Sequence, residues 1–386
     1  MATEISYKGA VIAAPEVGQT ATLKCKGMLM ADDVVVNCEA AEEWFNDGNT
    51  HIWVALFEGL TSPRLGAGVN GTVTVDWGDG TTPDILTGTD TSTMVFTPTH
   101  NYASAGDYII TLTVDGEMVI LGGPGRGACI LSSNSLYHAR NNSYRNTIRK
   151  IEIGYGMTSI GTYAFSGFYG LLSINLPDSL TSIGNNAFQS CYGLSSINIP
   201  DSVTSIGDSA FYGCSGLSSI NLPDSVASIG DSAFYGCSGL SSINLPDSLT
   251  SINYASVQSC TGLLSINIPD GVTSIGIYAF SGCYGLLSIN LPDSLTSIGA
   301  HAFGWCGGLV SINIPDNVTS IGDYVLMNCN ALSKIHFEGA TPPTATEYAF
   351  DSLPNDCVIS VPVGSLEAYK TATNYPDPAV YTYIEE

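Results

Sequence analysis

Seven cysteines stand at Cys191, Cys214, Cys237, Cys260, Cys283, Cys306 and Cys329, always 23 residues apart. Thiols are the first groups to ask for metal or redox chemistry, but no CxxC pair or Cys/His spacing of a zinc site occurs. If units of this length stack, neighbouring thiols sit about 4.8 Å apart, beyond the ~3.8 Å Cβ separation of a disulfide. Seven is also an odd number. The series therefore predicts reduced thiols acting as small core hydrophobes, and no metal site. A second series, Asp178, Asp201, Asp224, Asp247, Asp270, Asp293 and Asp316, follows proline each time and reads as turn-capping aspartate. Carboxylates stacked near 5 Å repel by about 0.8 kcal/mol per pair in water, so weak, non-specific association of Ca²⁺ along that edge is expected. A melting temperature unchanged between chelator and millimolar Ca²⁺ would remove that expectation. The histidines, His51, His100, His138, His301 and His336, belong to no nucleophile or metal motif. Catalysis by a carboxylate pair stays open as an alternative, that of a hydrolase acting on surface glycans.

What positions these groups is a repeat. Proline recurs at Pro177, Pro200, Pro223, Pro246, Pro269, Pro292 and Pro315, and isoleucine at Ile183, Ile206, Ile229, Ile252, Ile275, Ile298 and Ile321, on the same period. One unit reads G-L-x-S-I-N-[IL]-P-D-S-[LV]-T-S-I-G-x-x-A-F-x-x-C-x. Alternation over Ile197, Asn198 and Ile199 is the period of a half-buried strand, and Pro-Asp then turns the chain. The S-I-G-x-x-A-F segment reads as a helical turn or irregular coil. A unit this short cannot bury its own Leu, Ile and Phe, so units must stack into a solenoid. Nine strand positions between Ile151 and Ile335 would make a rod about 40 Å long.

This unit resembles the BspA-like class of leucine-rich repeats, known from bacterial surface proteins and some protist and phage proteins. The resemblance covers residues 151–337, and residues 338–386 look like the C-terminal cap of that class. Departures fall on single units: Val257 and Leu326 stand for Phe, Asn253 for the Gly of S-I-G, and Phe168 for Cys. Smaller side chains in a stacked core predict softer places in the rod.

Ahead of the repeats, VTVDWGDGTT (residues 73–82) and HNYASAGDYIITLTV (residues 100–114) resemble the polycystic-kidney-disease (PKD) domain, an immunoglobulin-like β-sandwich. Gly78, Asp79, Gly80, His100, Tyr102, Gly106 and Tyr108 match its signature, while Trp77 and Val75 shift its aromatic positions. The resemblance implies a spacer; a Ca²⁺ site at Asp76, Asp79 and Asp84 is the sharper alternative. Residues 7–36 look like the N-terminal segment of phage and prophage tail-associated proteins, which implies attachment to virion or tail proteins. The expected organisation is thus residues 1–45 as a small β attachment segment, 46–120 as the PKD-like sandwich, 121–150 as linker and N-terminal cap, 151–337 as the repeat rod, and 338–386 as the C-terminal cap. GGPGRG, residues 122–127, lacks the Lys-Ser/Thr of a phosphate loop and reads as linker.

With 11 Lys+Arg against 35 Asp+Glu, the net charge is −24, and no Lys or Arg occurs from Ile151 through Ser333. Over that half of the chain this excludes a surface that tracks nucleic-acid phosphates, and the acidic excess repels nucleic acid and anionic lipid. Arg126, Arg140, Arg145, Arg149 and Lys150 bunch just before the repeats and read as a solvated polar cap. No run approaches the roughly 18 apolar residues of a membrane span, and no basic segment followed by an apolar run marks a secretory signal. A virion, or a surface reached without the usual signal, is the expected location.

Within the repeat, outward Ser and Asn of the strand barely change, whereas the positions around A-F and C vary: Tyr163, Tyr192, Tyr212, Tyr235, Tyr254, Tyr278, Tyr284, His301, Trp305 and Tyr324. Tyr, Trp, Ser and Asn are the palette of adaptable recognition surfaces. These ten residues are the expected binding set on the non-sheet face. The function expected is non-enzymatic: a tail-associated receptor-binding component, or alternatively a bacterial adhesin contacting host matrix or other cells, taking a cell-surface protein or glycan.

Overall fold

A computed structural model of the protein describes residues 5–7, 10–12, 50–56, 66–96, 100, 102, 106–119, 148–153 and 158–386. The chain divides into two compact units, Met1–Glu42 and Glu43–Glu386. In the first, strands β1 (Ile5–Tyr7) and β2 (Ala10–Ile12) pair antiparallel. The rest of the segment likened to tail proteins, and the residues 122–127 read as linker, lie outside the described residues.

The second unit opens with β3 (Thr50–Leu56), β4 (Gly66–Asp76), β5 (Asp84–Phe96) and β6 (Gly106–Val119), followed by β7 (Ile148–Glu152). The order is β5-β4-β6-β3-β7, all neighbours antiparallel, and β7 continues in parallel into Ser173–Asn175 of the repeats. One sheet therefore runs from the small domain into the rod. The described strands of this region all belong to that one sheet. Val73, Val75, Trp77, Ile110 and Leu112 are buried on it. Gly78 has φ +75°, and a Cβ there would lie 2.3 Å from the Ile109 carbonyl oxygen, so this turn accepts only glycine.

From residue 158 onward the chain is the expected parallel solenoid. The S-I-N strands stack in register, as Ser219–Asn221 on Ser242–Asn244 and Ser265–Asn267 on Ser288–Asn290. Their Ile points inward and their Ser and Asn outward. A second parallel ladder, in place of the turn or coil expected from the residues alone, is formed by the Ser-Ile of S-I-G, for example Ser182–Ile183 on Ser205–Ile206. Two residues are too few to show a period, yet the buried Ile and the next coil's backbone suffice to make it. A third row of hydrogen bonds joins the turns, Phe211 N–H donating to the Ala233 carbonyl at 2.8 Å and Phe280 N–H to Ala302 at 2.8 Å. The Pro-Asp turn is closed by backbone, Val203 N–H to the Pro200 carbonyl at 3.0 Å, with Asp201 and its equivalents exposed. The cross-coil bond there comes from the following serine: Ser225 Oγ donates to the Val203 carbonyl at 2.7 Å. Capping by the aspartate side chain is thus replaced by capping through serine.

The core consists of stacked rows of Leu, Ile, Val, Ala, Phe and Cys, each position repeating from coil to coil. Phe165, Phe188, Phe211 and Phe234 lie nearly parallel with centroids 5.2–5.4 Å apart. Every cysteine of the described residues is buried and unbridged. Each repeat thiol donates to the carbonyl of the Phe position one coil earlier, as Cys214 to Phe188 at 3.1 Å and Cys306 to Phe280 at 3.2 Å. Burial pushes the thiols of Cys237, Cys283 and Cys329 up to about 12, and those of Cys214, Cys260 and Cys306 well above their ordinary value. Since the thiolate is the reactive form, these cysteines should be silent to an aromatic disulfide reagent in the native protein and react at the rate of unfolding. Labelling in seconds without denaturant would contradict this packing.

The C-terminal segment adds rungs as well as closing the stack. Val358–Val361 and Thr382–Glu385 continue the first ladder in parallel beyond Lys334–Phe337, and Tyr369, within the helix α1 (Leu366–Lys370), is buried against Phe337.

The departures have physical reasons. A Cβ at Gly230 would lie 2.4 Å from the Asp208 nitrogen and one at Gly276 2.8 Å from the Asn253 carbonyl carbon, so the S-I-G glycine lets successive backbones touch. Asn253 cannot, and the second ladder breaks between Ser228–Ile229 and Ser251–Ile252. The Ile229 carbonyl instead accepts from the Asn253 side-chain Nδ2 at 2.8 Å. Phe168 fills the Cys place by packing edge-on against Phe165 at 5.8 Å.

Candidate functional site

The variable positions lie on the turn side, where the backbone itself restricts side chains. The second residue after S-I-G takes positive φ in every coil: Tyr163 (59°), Asn186 (56°), Ser209 (53°), Ser232 (56°), Ala255 (50°), Tyr278 (59°), His301 (55°) and Tyr324 (56°). A further left-handed position precedes Cys, held by Ser190, Gly213, Gly236, Ser259, Gly282 and Trp305. Left-handed backbone costs an L-residue roughly 1–2 kcal/mol, and Gly or Asn bears it best. Coils with Asn186 and Gly213 meet that demand cheaply. Tyr278, Tyr324 and Trp305 do not.

These aromatics form one row. Tyr278 stacks on His301 at 4.6 Å and 13°, His301 on Tyr324 at 5.0 Å and 23°, and Tyr324 on Tyr348 at 5.3 Å and 5°. Trp305 lies parallel to His301 at 5.8 Å, and Tyr254 meets Tyr278 in a T-shape at 5.9 Å. Rings stacked along the rod cover one another's faces, and Tyr278, His301 and Tyr324 are each half-buried. Burial lowers the pKa of His301 below its ordinary 6.5, with Asp323 opposing the shift, so the imidazole in the row is neutral at pH 7.

Of the ten residues expected to bind, five thus come together: Tyr254, Tyr278, His301, Trp305 and Tyr324. Tyr212 and Tyr235 form a separate stacked pair at 4.6 Å. Tyr192 stacks on Tyr169 at 5.1 Å, while Tyr163 is half-buried and Tyr284 exposed. Tyr348 and Tyr169 escaped the sequence reading. Tyr348 sits 24 residues after Tyr324 rather than 23, in T-E-Y-A-F, where only the A-F pair marks the unit. Tyr169 follows Phe168 in place of cysteine.

The alternative Ca²⁺ site is not formed. Asp76 accepts from Gly78 N–H, Asp79 from Thr81 and His100, and Asp84 from Trp77 Nε1, so each carboxylate serves a separate hydrogen bond. Among the described residues no group of three or more His, Cys, Asp or Glu could hold a metal ion. Nor is any helix among them long and apolar enough to cross a membrane.

Among known proteins, a leucine-rich repeat protein from Bacteroides ovatus ATCC 8483 is similar in structure, with a TM-score of 0.53 and 26% identity over 69% of each chain. The T. pallidum leucine rich repeat protein shares 29% identity over 47% of this chain and 83% of its own, with a TM-score of 0.40. A leucine rich cell surface protein from Faecalibacterium prausnitzii A2-165 shares 22% over 64% and 81%, with a TM-score of 0.30. No curated protein matches the chain. A family model described as the BspA type leucine rich repeat region matches in six copies, over residues 139–264 and 258–362. With its 23-residue coils, inward Ile and Phe rows and parallel ladders covered by that match, the chain belongs to the BspA type leucine-rich repeat family.

Proposed function

We propose that this chain is a non-enzymatic recognition protein that holds a cell-surface protein or glycan against the turn side of its rod. The observation behind this reading is the aromatic row from Tyr254 to Tyr348, within which Tyr278, Tyr324 and Trp305 occupy left-handed positions that other coils give to Asn, Ser or Gly. Strain accepted where the fold offers an unstrained residue points to selection for another purpose. Large rings with phenolic hydroxyls, and no Lys or Arg nearby in the chain from Ile151 through Ser333, suit neutral or hydrogen-bonding partners. The PKD-like segment acts as a spacer, and the N-terminal segment as the attachment to a phage tail.

The test replaces rings by residues the backbone prefers. Tyr278→Asn, His301→Asn and Trp305→Gly combined should leave the melting temperature within a few degrees and reduce adsorption to target cells at least tenfold. Undiminished adsorption by the folded variant would end the proposal for this face. Mass spectrometry of purified phage particles beside envelope and secreted fractions of the producing cell separates the settings. Presence in particles is the expected result; presence only in the envelope or medium makes the protein an adhesin.

A further inference from the structure

The coil that carries Asn253 differs from its neighbours at three places at once. Where the flanking coils have Gly230, Ala233 and Phe234, or Gly276, Ala279 and Phe280, it has Asn253, Ser256 and Val257. An aromatic ring is lost from the core, while a hydroxyl and an amide are added around the space it leaves. That space is a cavity of about 10 Å³ lined by Ser251, Asn253 and Ser256 together with apolar side chains that include Phe234 and Val257. Ser256 is only 3% exposed, and its Oγ has no hydrogen-bond partner within the protein. A buried hydroxyl left unpaired is costly, and dry cavities in proteins are lined by apolar groups.

We infer that a single internal water occupies this cavity. The volume is the least that one water needs, and a buried water requires two to four polar partners. Three are at hand. Ser256 Oγ is unpaired; Asn253 Oδ1 accepts from Ser251 Oγ at 2.9 Å and keeps a second lone pair; Ser251 Oγ can itself accept. The water takes the place of the ring that the neighbouring coils stack there, and it gives the three replacements one common reason. Asn253 holds the previous coil through its side chain, which opens the ladder enough to admit the solvent molecule.

A crystal structure of the full chain at a resolution that shows buried solvent is the direct test. One ordered water within hydrogen-bond distance of Ser256 Oγ is expected, and it should vanish from the Asn253→Gly/Ser256→Ala/Val257→Phe variant, which copies the adjoining coils. An empty cavity in the native protein overturns the inference. Thermal melts of Ser256→Ala alone give an independent reading. If water satisfies the hydroxyl, the melting temperature stays unchanged or falls slightly; a rise of several degrees would mean that the hydroxyl was a dry orphan, and would also overturn it.

Discussion

Phe211→Ala should lower the unfolding free energy of the rod by about 3–5 kcal/mol, the range for emptying a well-packed aromatic site. Phe211 is fully buried and has a parallel ring on either side, Phe188 at 5.2 Å and Phe234 at 5.4 Å. Repeat rods hold together through nearest-neighbour interfaces, so a hole here weakens two interfaces at once. Phe280→Ala should cost less. Its one parallel ring is Phe303 at 5.6 Å, and the preceding coil already has Val257 in the row. Urea melts of the two variants at equal pH make the comparison. An equal loss for both would mean that the ring-on-ring row contributes little beyond buried area.

Gly299→Ala should cost about 2–4 kcal/mol through overpacking, with loss of a ladder hydrogen bond added. Its Cβ would fall 2.7 Å from the Gly276 carbonyl carbon and 2.7 Å from the Ile277 nitrogen. These are backbone atoms that move only if the coils separate, and separation breaks the bond from Gly299 N–H to the Ile275 carbonyl at 2.8 Å. Gly307→Ala is the control on the same rod. There the nearest atom to a new Cβ is a Tyr284 ring carbon at 3.7 Å, so the effect should be close to neutral. A Gly299 variant as stable as the Gly307 variant would show that the glycine row is not what brings the coils together.

Glycine and phenylalanine also mark the border of what was legible in the sequence. The 23-residue period, the inward Ile of S-I-N and the buried thiols could all be read because each depends on a side chain's own repeat. The second ladder could not, because a two-residue strand owes its existence to the coil on either side. The thiol's bond to the Phe carbonyl was hidden for the same reason, its partner lying 26 residues away. At the site, variation alone singled out Tyr278, His301, Trp305 and Tyr324. It gave no sign that they share left-handed backbone, which is what separates them from Tyr192 or Tyr284 on the same chain. Tyr348 was lost to a single inserted residue, although structurally it extends the row by one rung.

The sheet that passes from β3 through β7 into the first coil has a mechanical consequence. His51, Ile52 and Trp53 of β3 pair with Glu152, Ile151 and Lys150 of β7, and the latter pair with Asn175, Ile174 and Ser173 of the rod. Backbone hydrogen bonds thus bridge the junction in both steps. A target pulling on the far coils would load this pairing directly, and torque on the rod would turn the small domain with it. Pull and twist at the aromatic row would reach β3 with no joint between these strands to absorb them, so the domain and the rod would behave as a single lever.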